Sequence, residues 1–373
     1  MSSLSHSKEL LNAAVIGVGT MGRNHVRVLA GLPHVQLVAV ADVDEQAVLQ
    51  VASTYKAHAY TDYREMFRQE ALDLVVIAVP TRLHTPIALD AIAHGLHCLI
   101  EKPIASSVEE GEQIVLAARD AQVKVTVGHI ERFNPAVLEL KRRLDAGQLG
   151  RVFQIHARRV GPFPPRVQDV GVVFDLATHE LNIMEYVIGS PIADLYAATR
   201  QEIHASHEDL LSALLRFDNG TVGSLEINWL TPTKIRELSL IGERGMFLVN
   251  YLTQELHFIE NGEITDQWDG LVALMGVSEG RHIKYELQRR EPLRLELEHF
   301  VQSILQDTPP LISPEEALRA VYLAEKVLES GRKHSIVSLD NGRYDLDVFH
   351  PSSAAAKHAN TIPSVILGED KPE

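Results

Sequence analysis

Two short motifs carry side chains that could move a proton to or from an alcohol. In the first, Glu101-Lys102-Pro103 interrupts an apolar run, so a lysine stands where a buried strand must stop. The positive charge of Lys102 can hold a hydroxyl oxygen and stabilise the alkoxide that develops there. In the second, Asp175 and His179 are four residues apart on a predicted helix and share one face. An imidazole beside a carboxylate is suited to act as a general base.

A glycine-rich turn near the N-terminus predicts a dinucleotide-binding site. The turn has the pattern G-x-G-x-x-G, and it follows an apolar strand and opens a helix. Asp42 stands 20 residues after Gly22, at the end of the second strand. A carboxylate there binds an adenosine ribose and repels a 2′-phosphate, so NAD is preferred over NADP. The residues of the turn assigned to the cofactor are Gly17, Gly19, Thr20, Met21 and Gly22.

Two further strand ends are expected at the same edge of the sheet as this cofactor. Pro80 ends one strand, and Thr81 after it is placed to touch the nicotinamide half of NAD. His84 follows closely and either lines the cofactor site or has a structural role. Glu101 and Lys102 end the next strand, which places Lys102 over the nicotinamide and Glu101 beside the cofactor. The alternative for these two residues is an ion pair on a solvated edge.

The elements that must position these residues alternate between strands and helices over residues 10–128. The strand segments are nearly continuous in apolar residues, which is typical of parallel strands covered by helices on both faces. This predicts an α/β, doubly wound Rossmann domain that binds NAD. Residues 129–340 contain longer strands separated by hairpin turns, which predicts an α+β domain with an open, mostly antiparallel sheet. Residues 345–373 are small and polar, and a mobile tail is expected there.

Composition narrows the class of protein. The 373 residues carry a net charge of −15, which argues against nucleic acid or a membrane surface as partner. No apolar run approaches the roughly 20 residues of a membrane span, and the N-terminal residues lack the pattern of a signal peptide. The single cysteine, Cys98, excludes an internal disulfide and suits a reducing compartment. A cytoplasmic protein is predicted, and no metal site is expected.

In combination, these motifs make the sequence resemble the Gfo/Idh/MocA family of sugar and polyol oxidoreductases. The segments that carry the resemblance are "GVGTMG", "TPIALDAIAHGLHCLIEKP" and "VVFDLATHELNIM". The resemblance implies that Lys102 is the catalytic lysine, His179 the acid/base and Asp175 its companion, with all three touching the substrate. It also implies hydride transfer from a sugar carbon to C4 of the nicotinamide. The family's open sheet serves as an oligomer interface, so a homodimer or homotetramer is expected.

One block is similar to a subgroup of that family. The segment "GHIERFNPAV", together with "DVGVVFDLATHELNIMEYVIG", matches members that oxidise the 3-hydroxyl of UDP-N-acetylglucosamine to a ketone. In that subgroup a partner aminotransferase then converts the ketone to an amine. The resemblance implies that Arg132 lies near the nicotinamide ribose of NAD and that Glu131 and Asn134 lie near the sugar.

A nucleotide-sugar substrate would bring a diphosphate that needs cationic partners. Basic residues occur beside the proline-rich turn "GPFPP" and in the later segment "TPTKIRE". Of these, Arg158 and Arg166 are assigned to the substrate. The other candidates are Arg159, Lys234 and Arg236.

Two alternatives remain beside the hypothesis of a nucleotide-sugar substrate. The same chemistry on an unactivated polyol or hexose, such as inositol, would need no cationic cluster. A non-catalytic sensor that binds NAD and a partner protein would be expected to lose the acid/base residues. Lys102, Asp175 and His179 are all present, which favours an enzyme.

Overall fold

The computed structural model describes residues 10–164, 170–262 and 279–340. The predicted tail, residues 345–373, lies outside the described residues. The described chain divides into two compact units. Of the described residues, the first unit contains those up to Ile130 and the segment Glu291–Tyr322, and the second contains Glu131–Arg290 and residues 323–340.

The helices alternate with the strands along most of the chain. In chain order the α-helices are α1 (Thr20–Leu29), α2 (Glu45–Tyr55), α3 (Tyr63–Gln69), α4 (His84–Ala93), α5 (Val108–Ala121), α6 (Pro135–Asp145), α7 (Thr178–Ile188), α8 (Pro292–Leu305) and α9 (Pro314–Lys333). A π-helical turn, Val173–Ala177, precedes α7, and short 3₁₀ turns occupy Thr81–Leu83 and Ile130–Phe133.

The first unit is built on a six-stranded parallel sheet. Its strands are β1 (Leu11–Ile16), β2 (Val35–Ala41), β3 (His58–Tyr60), β4 (Leu74–Ile77), β5 (His97–Ile100) and β6 (Val125–Val127). The spatial order is β3-β2-β1-β4-β5-β6, with every adjacent pair parallel. The order reverses between β1 and β4, which is where doubly wound sheets bind nucleotides. The predicted Rossmann fold is confirmed.

Burial explains why the central strands of this sheet are so apolar. All four side chains of β4 are fully buried, as are Cys98, Leu99 and Ile100 of β5. Helices therefore cover both faces, and no polar alternation survives in the sequence. The core also takes in α8 through Leu297 and Phe300, which pack with residues of β1 and α1. A helix from the region predicted as the second domain thus belongs to the first unit.

The second unit is built on a mixed sheet of nine described strands. The strands are β7 (Val152–Pro162), β8 (Ile192–Arg200), β9 (Leu210–Phe217), β10 (Val222–Asn228), β11 (Leu230–Gly242), β12 (Gly245–Asn250), β13 (Glu255–Asn261), β14 (Glu279–Tyr285) and β15 (Val337–Ser338). Their order is β14-β13-β12-β11-β7-β10-β9-β8-β15. Among these described strands, only the pairing of β7 with β10 is parallel, as predicted for a mostly antiparallel sheet.

Side chains alternate cleanly across this second sheet. Along β9, for example, Leu211, Ala213 and Leu215 are buried, whereas Ser212 and Leu214 are exposed. The buried face packs against helices, and Arg159 of β7 reaches Glu180 of α7 from it. Residues on the other face, at alternate positions, remain uncovered within the described part of the chain. This alternation decides which side chains of the sheet can contact α7, the helix that carries His179.

Candidate active site

The glycine turn opens onto a cavity of about 400 Å³ in the first unit. Gly17 has a φ of +87°, and a Cβ on it would lie 2.3 Å from the Ala78 carbonyl oxygen. A Cβ on Gly22 would lie 1.8 Å from the Gly17 oxygen, whereas one on Gly19 would meet nothing within 4 Å. Gly17 and Gly22 are thus required for local packing. Gly19 leaves room for a ligand beside the backbone.

The same cavity presents groups suited to a dinucleotide. Helix α1 begins after Gly19 without a side-chain cap, so its first amides are available to phosphate oxygens. Asp42 lines the cavity, and its Oδ2 accepts a hydrogen bond from the Val18 amide at 2.7 Å. Its Oδ1 accepts from the Asp44 amide at 3.0 Å. The Asp42 carboxylate is therefore held beside the glycine turn, and these residues fit NAD.

Replacing Asp42 with asparagine is expected to weaken the preference for NAD over NADP by about 10-fold or more. Asparagine keeps one oxygen acceptor for the Val18 amide, gives up the contact with the Asp44 amide and removes the charge that repels a 2′-phosphate. Dissociation constants of NADH and NADPH, measured by fluorescence titration on both proteins, would give the ratio. Asp44→Asn is a matched control, because Asp44 caps α2 through the Ala47 amide. A ratio that does not change in Asp42→Asn would contradict this role.

The end of β4 gives the cavity some of its walls. Pro80 lines the cavity, and Thr81, in the 3₁₀ turn that follows, is half-buried. His84 is 1% exposed and does not line it. Its Nδ1 lies 2.8 Å from the Pro103 oxygen and its Nε2 2.9 Å from the Val79 oxygen. His84 thus links the ends of β4 and β5.

Lys102 is the second residue after β5, and Glu101 between them is buried. Glu101 Oε1 lies 2.7 Å from His25 Nε2, and Oε2 accepts from the Lys102 amide at 3.2 Å. Burial would raise the pKa of Glu101, but the hydrogen bond from His25 and the charges of His25 and Lys102 outweigh it. The pKa of Glu101 is therefore lowered, and a negative charge stands beside Lys102. The peptide bond between Lys102 and Pro103 is cis.

A second carboxyl group, that of Glu296 on α8, is buried in this unit without a compensating partner. Glu296 is 1% exposed, and neither of its oxygens has a hydrogen-bond partner among the described residues. Burial, followed by the charge of Glu101, raises the pKa of Glu296 well above its ordinary 4.5. In the unfolded chain this carboxyl ionises near its ordinary pKa. The folded protein is therefore expected to lose stability as the pH rises above that value.

Glu296→Gln should remove this pH dependence. Relative to wild type, the variant is expected to gain about 1.4 kcal/mol of unfolding free energy per pH unit. The gain should begin near the unfolded-state pKa and end at the raised folded-state pKa. Urea unfolding at a series of pH values would measure it. Glu298→Gln, on the same helix but paired with Arg294 near the surface, should follow wild type. Parallel curves for wild type and Glu296→Gln would refute the expectation.

Asp175 and His179 lie in the second unit on consecutive helical segments. Asp175 belongs to the π-helical turn and His179 to the first turn of α7, and both are half-buried. The start of the turn is held by Glu208, whose Oε1 accepts from the Val173 amide at 3.1 Å. A Cβ on Gly171 would lie 2.1 Å from the Glu208 carboxylate, so glycine allows this close approach. Isolated π turns occur frequently at functional sites.

A buried ion cluster anchors α7. Glu180, fully buried, accepts from Arg159 Nε at 2.5 Å and from the Tyr251 hydroxyl at 3.2 Å. Arg159 Nη2 also donates to Glu131 Oε1 at 2.7 Å, and Arg236 Nη1 lies 3.4 Å from the same oxygen. Burial would lower the pKa of Arg159, but the charges of Glu180 and Glu131 raise it, so the guanidinium stays charged. The cluster fixes the rotation of the helix that carries His179.

The residues of the "ERFN" segment have partners inside the second unit. Arg132 lies with its Cζ 3.7 Å from the Tyr186 ring centroid and is 2% exposed. Asn134 caps α6 through the Ala136 amide, and its Nδ2 donates to the backbone carbonyl oxygen of Tyr251 at 3.0 Å. Together with Glu131 they are buried. In the described chain, Arg132 thus packs against α7, and Asn134 contacts the residue that follows β12.

Comparison with known proteins identifies the family. An oxidoreductase family model with an NAD-binding Rossmann fold matches residues 11–129, and the Gfo/Idh/MocA C-terminal domain matches residues 137–248. The chain belongs to the Gfo/Idh/MocA family. It is therefore an NAD-dependent oxidoreductase. Its cofactor cavity, Lys102 and the Asp175–His179 pair lie within the matched regions.

Among curated family members, UDP-N-acetylglucosamine 3-dehydrogenase of Acidithiobacillus ferrooxidans is 28% identical over 299 residues. That match covers 80% of this chain and 90% of the relative. Its solved structure has a TM-score of 0.75 at 26% identity and covers 86% of this chain and 97% of the other. A scyllo-inositol 2-dehydrogenase of Bacillus subtilis is 25% identical over 343 residues, covering 88% and 96%. The WlbA dehydrogenase of Bordetella pertussis, with a TM-score of 0.74 at 21% identity over 89% and 99%, shows the same fold.

One predicted substrate contact of this Gfo/Idh/MocA protein, Arg158, is not brought to α7, the helix that carries His179. Arg158 alternates with Arg159 along β7 and therefore lies on the opposite face of the sheet. Its Nε lies 3.0 Å from Glu226 Oε2, in a cleft with His156 and His257. Arg166 lies outside the described residues.

Sequence reasoning missed part of the cofactor cavity of this family member. Thr61, Tyr63 and Arg64 line it, and they follow β3, which is only three residues long. The Arg64 guanidinium lies 4.7 Å from the Tyr63 ring centroid, and the Tyr63 hydroxyl donates to Asp90 at 2.6 Å. The part of the sequence that could have revealed this wall of the cavity is Thr61-Asp62-Tyr63, because an aspartate at that point can cap a helix and Asp62 caps α3.

None of the described helices is long and apolar enough to cross a membrane.

Proposed function

We propose that this protein oxidises the 3-hydroxyl of UDP-N-acetylglucosamine to a ketone, with NAD as hydride acceptor. The observation that carries the proposal is the similarity to UDP-N-acetylglucosamine 3-dehydrogenase. That similarity covers most of both chains. By the same resemblance, the ketone would be consumed by an aminotransferase. A cavity with an uncapped helix N-terminus and a carboxylate at the second strand supports NAD as cofactor.

The residues divide the reaction between them. Lys102 donates a hydrogen bond to the substrate hydroxyl oxygen and stabilises negative charge as it develops. His179 accepts the hydroxyl proton, and Asp175 orients the imidazole. NAD, when bound, accepts the hydride at C4 of its nicotinamide. Because proton and hydride leave in the same event, only partial charge develops on the sugar oxygen, and no full charge accumulates there.

Of the candidate cations, we assign Lys234 to the diphosphate of the nucleotide-sugar substrate. It is exposed, and it lies where the register between β7 and β11 shifts. A Cβ on Gly161 would lie 3.7 Å from the Lys234 Cα. Gly161 shares the face of β7 that carries Arg159, so Lys234 flanks the face on which α7 packs. Arg158, on the other face, offers a matched cation that should not contribute.

Calorimetric titration of the NADH-bound protein tests the nucleotide-sugar assignment. UDP-N-acetylglucosamine is expected to bind at least about 100-fold more tightly than free N-acetylglucosamine or inositol. UDP alone should retain measurable affinity. Lys234→Met should weaken the UDP ligands, and Arg158→Met should not. Binding of inositol without binding of UDP would replace this proposal with a polyol dehydrogenase, which the inositol dehydrogenase relative also favours.

We also propose that the uncovered face of the second sheet joins copies of this chain. Tyr196 and Leu214 pair across β8 and β9 on that face and are 40% and 58% exposed. Val222 and Ile241 add further exposed apolar area on the same sheet. Light scattering after size exclusion should give a dimer or tetramer for wild type and a smaller species for Leu214→Glu. A monomeric wild type would exclude this interface.

A further inference from the structure

Two buried histidines from different helices contact the residues on either side of Lys102. His25 of α1 reaches Glu101, and His84 of α4 reaches Pro103. We propose that His25 and His84 are positioning residues for Lys102, fixing the backbone from which its ammonium group extends. This proposal rests on the function proposed for Lys102.

The contact through His25 continues to the Lys102 backbone. His25 Nδ1 has no hydrogen-bond partner among the described residues, and Nε2 carries a proton that Glu101 accepts at 2.7 Å. The second Glu101 oxygen accepts the Lys102 amide at 3.2 Å. His25, Glu101 and the Lys102 amide therefore form one chain of hydrogen bonds. His25 is fully buried, so water does not compete for this contact.

A glycine confines the Glu101 carboxylate from another side. A Cβ on Gly128 would lie 3.1 Å from Glu101 Oε2 and 3.3 Å from its Cδ. The Gly128 amide also donates to the Ile100 oxygen at 2.8 Å, which fixes the backbone after β6 against the end of β5. The carboxylate therefore has little room to turn away from the Lys102 amide.

The contact through His84 holds the other side of Lys102. Nδ1 faces the Pro103 oxygen at 2.8 Å, and Nε2 faces the Val79 oxygen at 2.9 Å. Both carbonyl oxygens are acceptors, so the neutral ring donates to one of them at a time and only the doubly protonated ring donates to both. His84 thus joins the residue after Lys102 to the strand end that borders the cofactor cavity. The backbone is thus held on both sides of Lys102.

The helix that supplies His25 also begins at the glycine turn. Helix α1 starts at Thr20, so the same rigid helix offers amides to the cofactor phosphates and a histidine to Glu101. Helix α1 therefore positions both the cofactor phosphates and, through Glu101, the backbone of Lys102. A displacement of about 1 Å in such an arrangement costs roughly 100-fold in rate.

A pair of variants that differ in reach tests the role of His25. His25→Gln places an amide near the position of Nε2, whereas His25→Asn keeps the same chemistry but falls short of Glu101. His25→Asn is expected to lower kcat about 10- to 100-fold, with KM for the sugar and the Kd of NADH within about 3-fold of wild type. His25→Gln should recover most of the loss. His97→Asn is the control, because His97 lies at the opposite end of β5.

Hydrogen exchange at the Lys102 amide gives a readout that needs no substrate. In the NAD-bound protein, exchange there should be at least about 10-fold faster in His25→Asn than in wild type or His25→Gln. For His84 the order reverses. His84→Asn keeps a donor near Nδ1 for Pro103 and should retain more activity than His84→Gln, which reaches only Val79.

The outcomes separate this proposal from the proposed function. Wild-type kcat and unchanged Lys102 exchange in His25→Asn would overturn it. So would a loss of NADH affinity together with faster exchange throughout the protein, because that pattern indicates a purely structural role. If wild type oxidises no sugar, the proposed function fails, and the exchange at Lys102 still decides whether the histidines hold it.

Discussion

Replacing Lys102 with methionine is expected to lower kcat by about 1,000-fold or more while leaving NADH binding close to wild type. Methionine has a similar length but cannot donate a hydrogen bond to the substrate oxygen or stabilise its developing charge. The glycine turn, Asp42 and the cavity walls do not depend on this side chain. The measurement is steady-state kcat with the sugar that wild type oxidises, together with the Kd of NADH.

Lys124→Met is the matched control for Lys102. Lys124 also borders a strand of the parallel sheet, but it pairs with Asp307 at 2.8 Å and precedes β6 instead of following a strand. It should keep wild-type kcat. A Lys102→Met protein with kcat near wild type would remove this lysine from the mechanism.

Replacing Arg159 with methionine should destabilise the protein by about 3–5 kcal/mol, the usual cost of breaking a buried ion pair on one side. Arg159 has a nearly buried side chain and contacts both Glu180 and Glu131. Without it, Glu180 keeps only the Tyr251 hydroxyl among its described polar contacts. Because Glu180 follows His179 on α7, the loss should also loosen the helix that carries His179. Urea unfolding would measure the change in unfolding free energy.

The neighbouring Arg158→Met separates burial from charge. Arg158 pairs with Glu226, but its side chain is 37% exposed. Exposed pairs contribute about 1 kcal/mol or less, so this variant should remain within that range of wild type. Equal destabilisation by the two substitutions would show that the cluster around Arg159 does not carry the stability assigned to it.

The sequence predicts the parallel sheet well because burial on both faces leaves continuous apolar strands, as in β4. It misses β3, since a three-residue strand at the edge of the sheet is too short to show a pattern. It also places α8 in the second domain. Leu297 and Phe300 do make an apolar face, but an amphipathic helix does not encode which core it joins, and here it joins β1 and α1.

The sequence likewise predicts some residues of the candidate site but not the long-range contacts between them. Gly17, Asp42 and Lys102 stand at strand ends, and chain position alone brings them to one edge of a parallel sheet. The contacts of Arg159 with Glu131 and of His25 with Glu101 span 28 and 76 residues, so no local spacing in the sequence predicts them. The face occupied by Arg158 depends on strand register, because a shift of one residue would exchange it with Arg159.

Formation of the keto sugar from UDP-N-acetylglucosamine and NAD tests the central claim most directly. Purified protein would be incubated with this sugar nucleotide, free N-acetylglucosamine or inositol, with and without a 2-oxo acid that can reoxidise bound NADH. NADH absorbance and mass spectrometry of the product would be recorded. We expect a 3-keto product only with the UDP sugar, and none in Lys102→Met. Oxidation of inositol without oxidation of the UDP sugar would contradict the account.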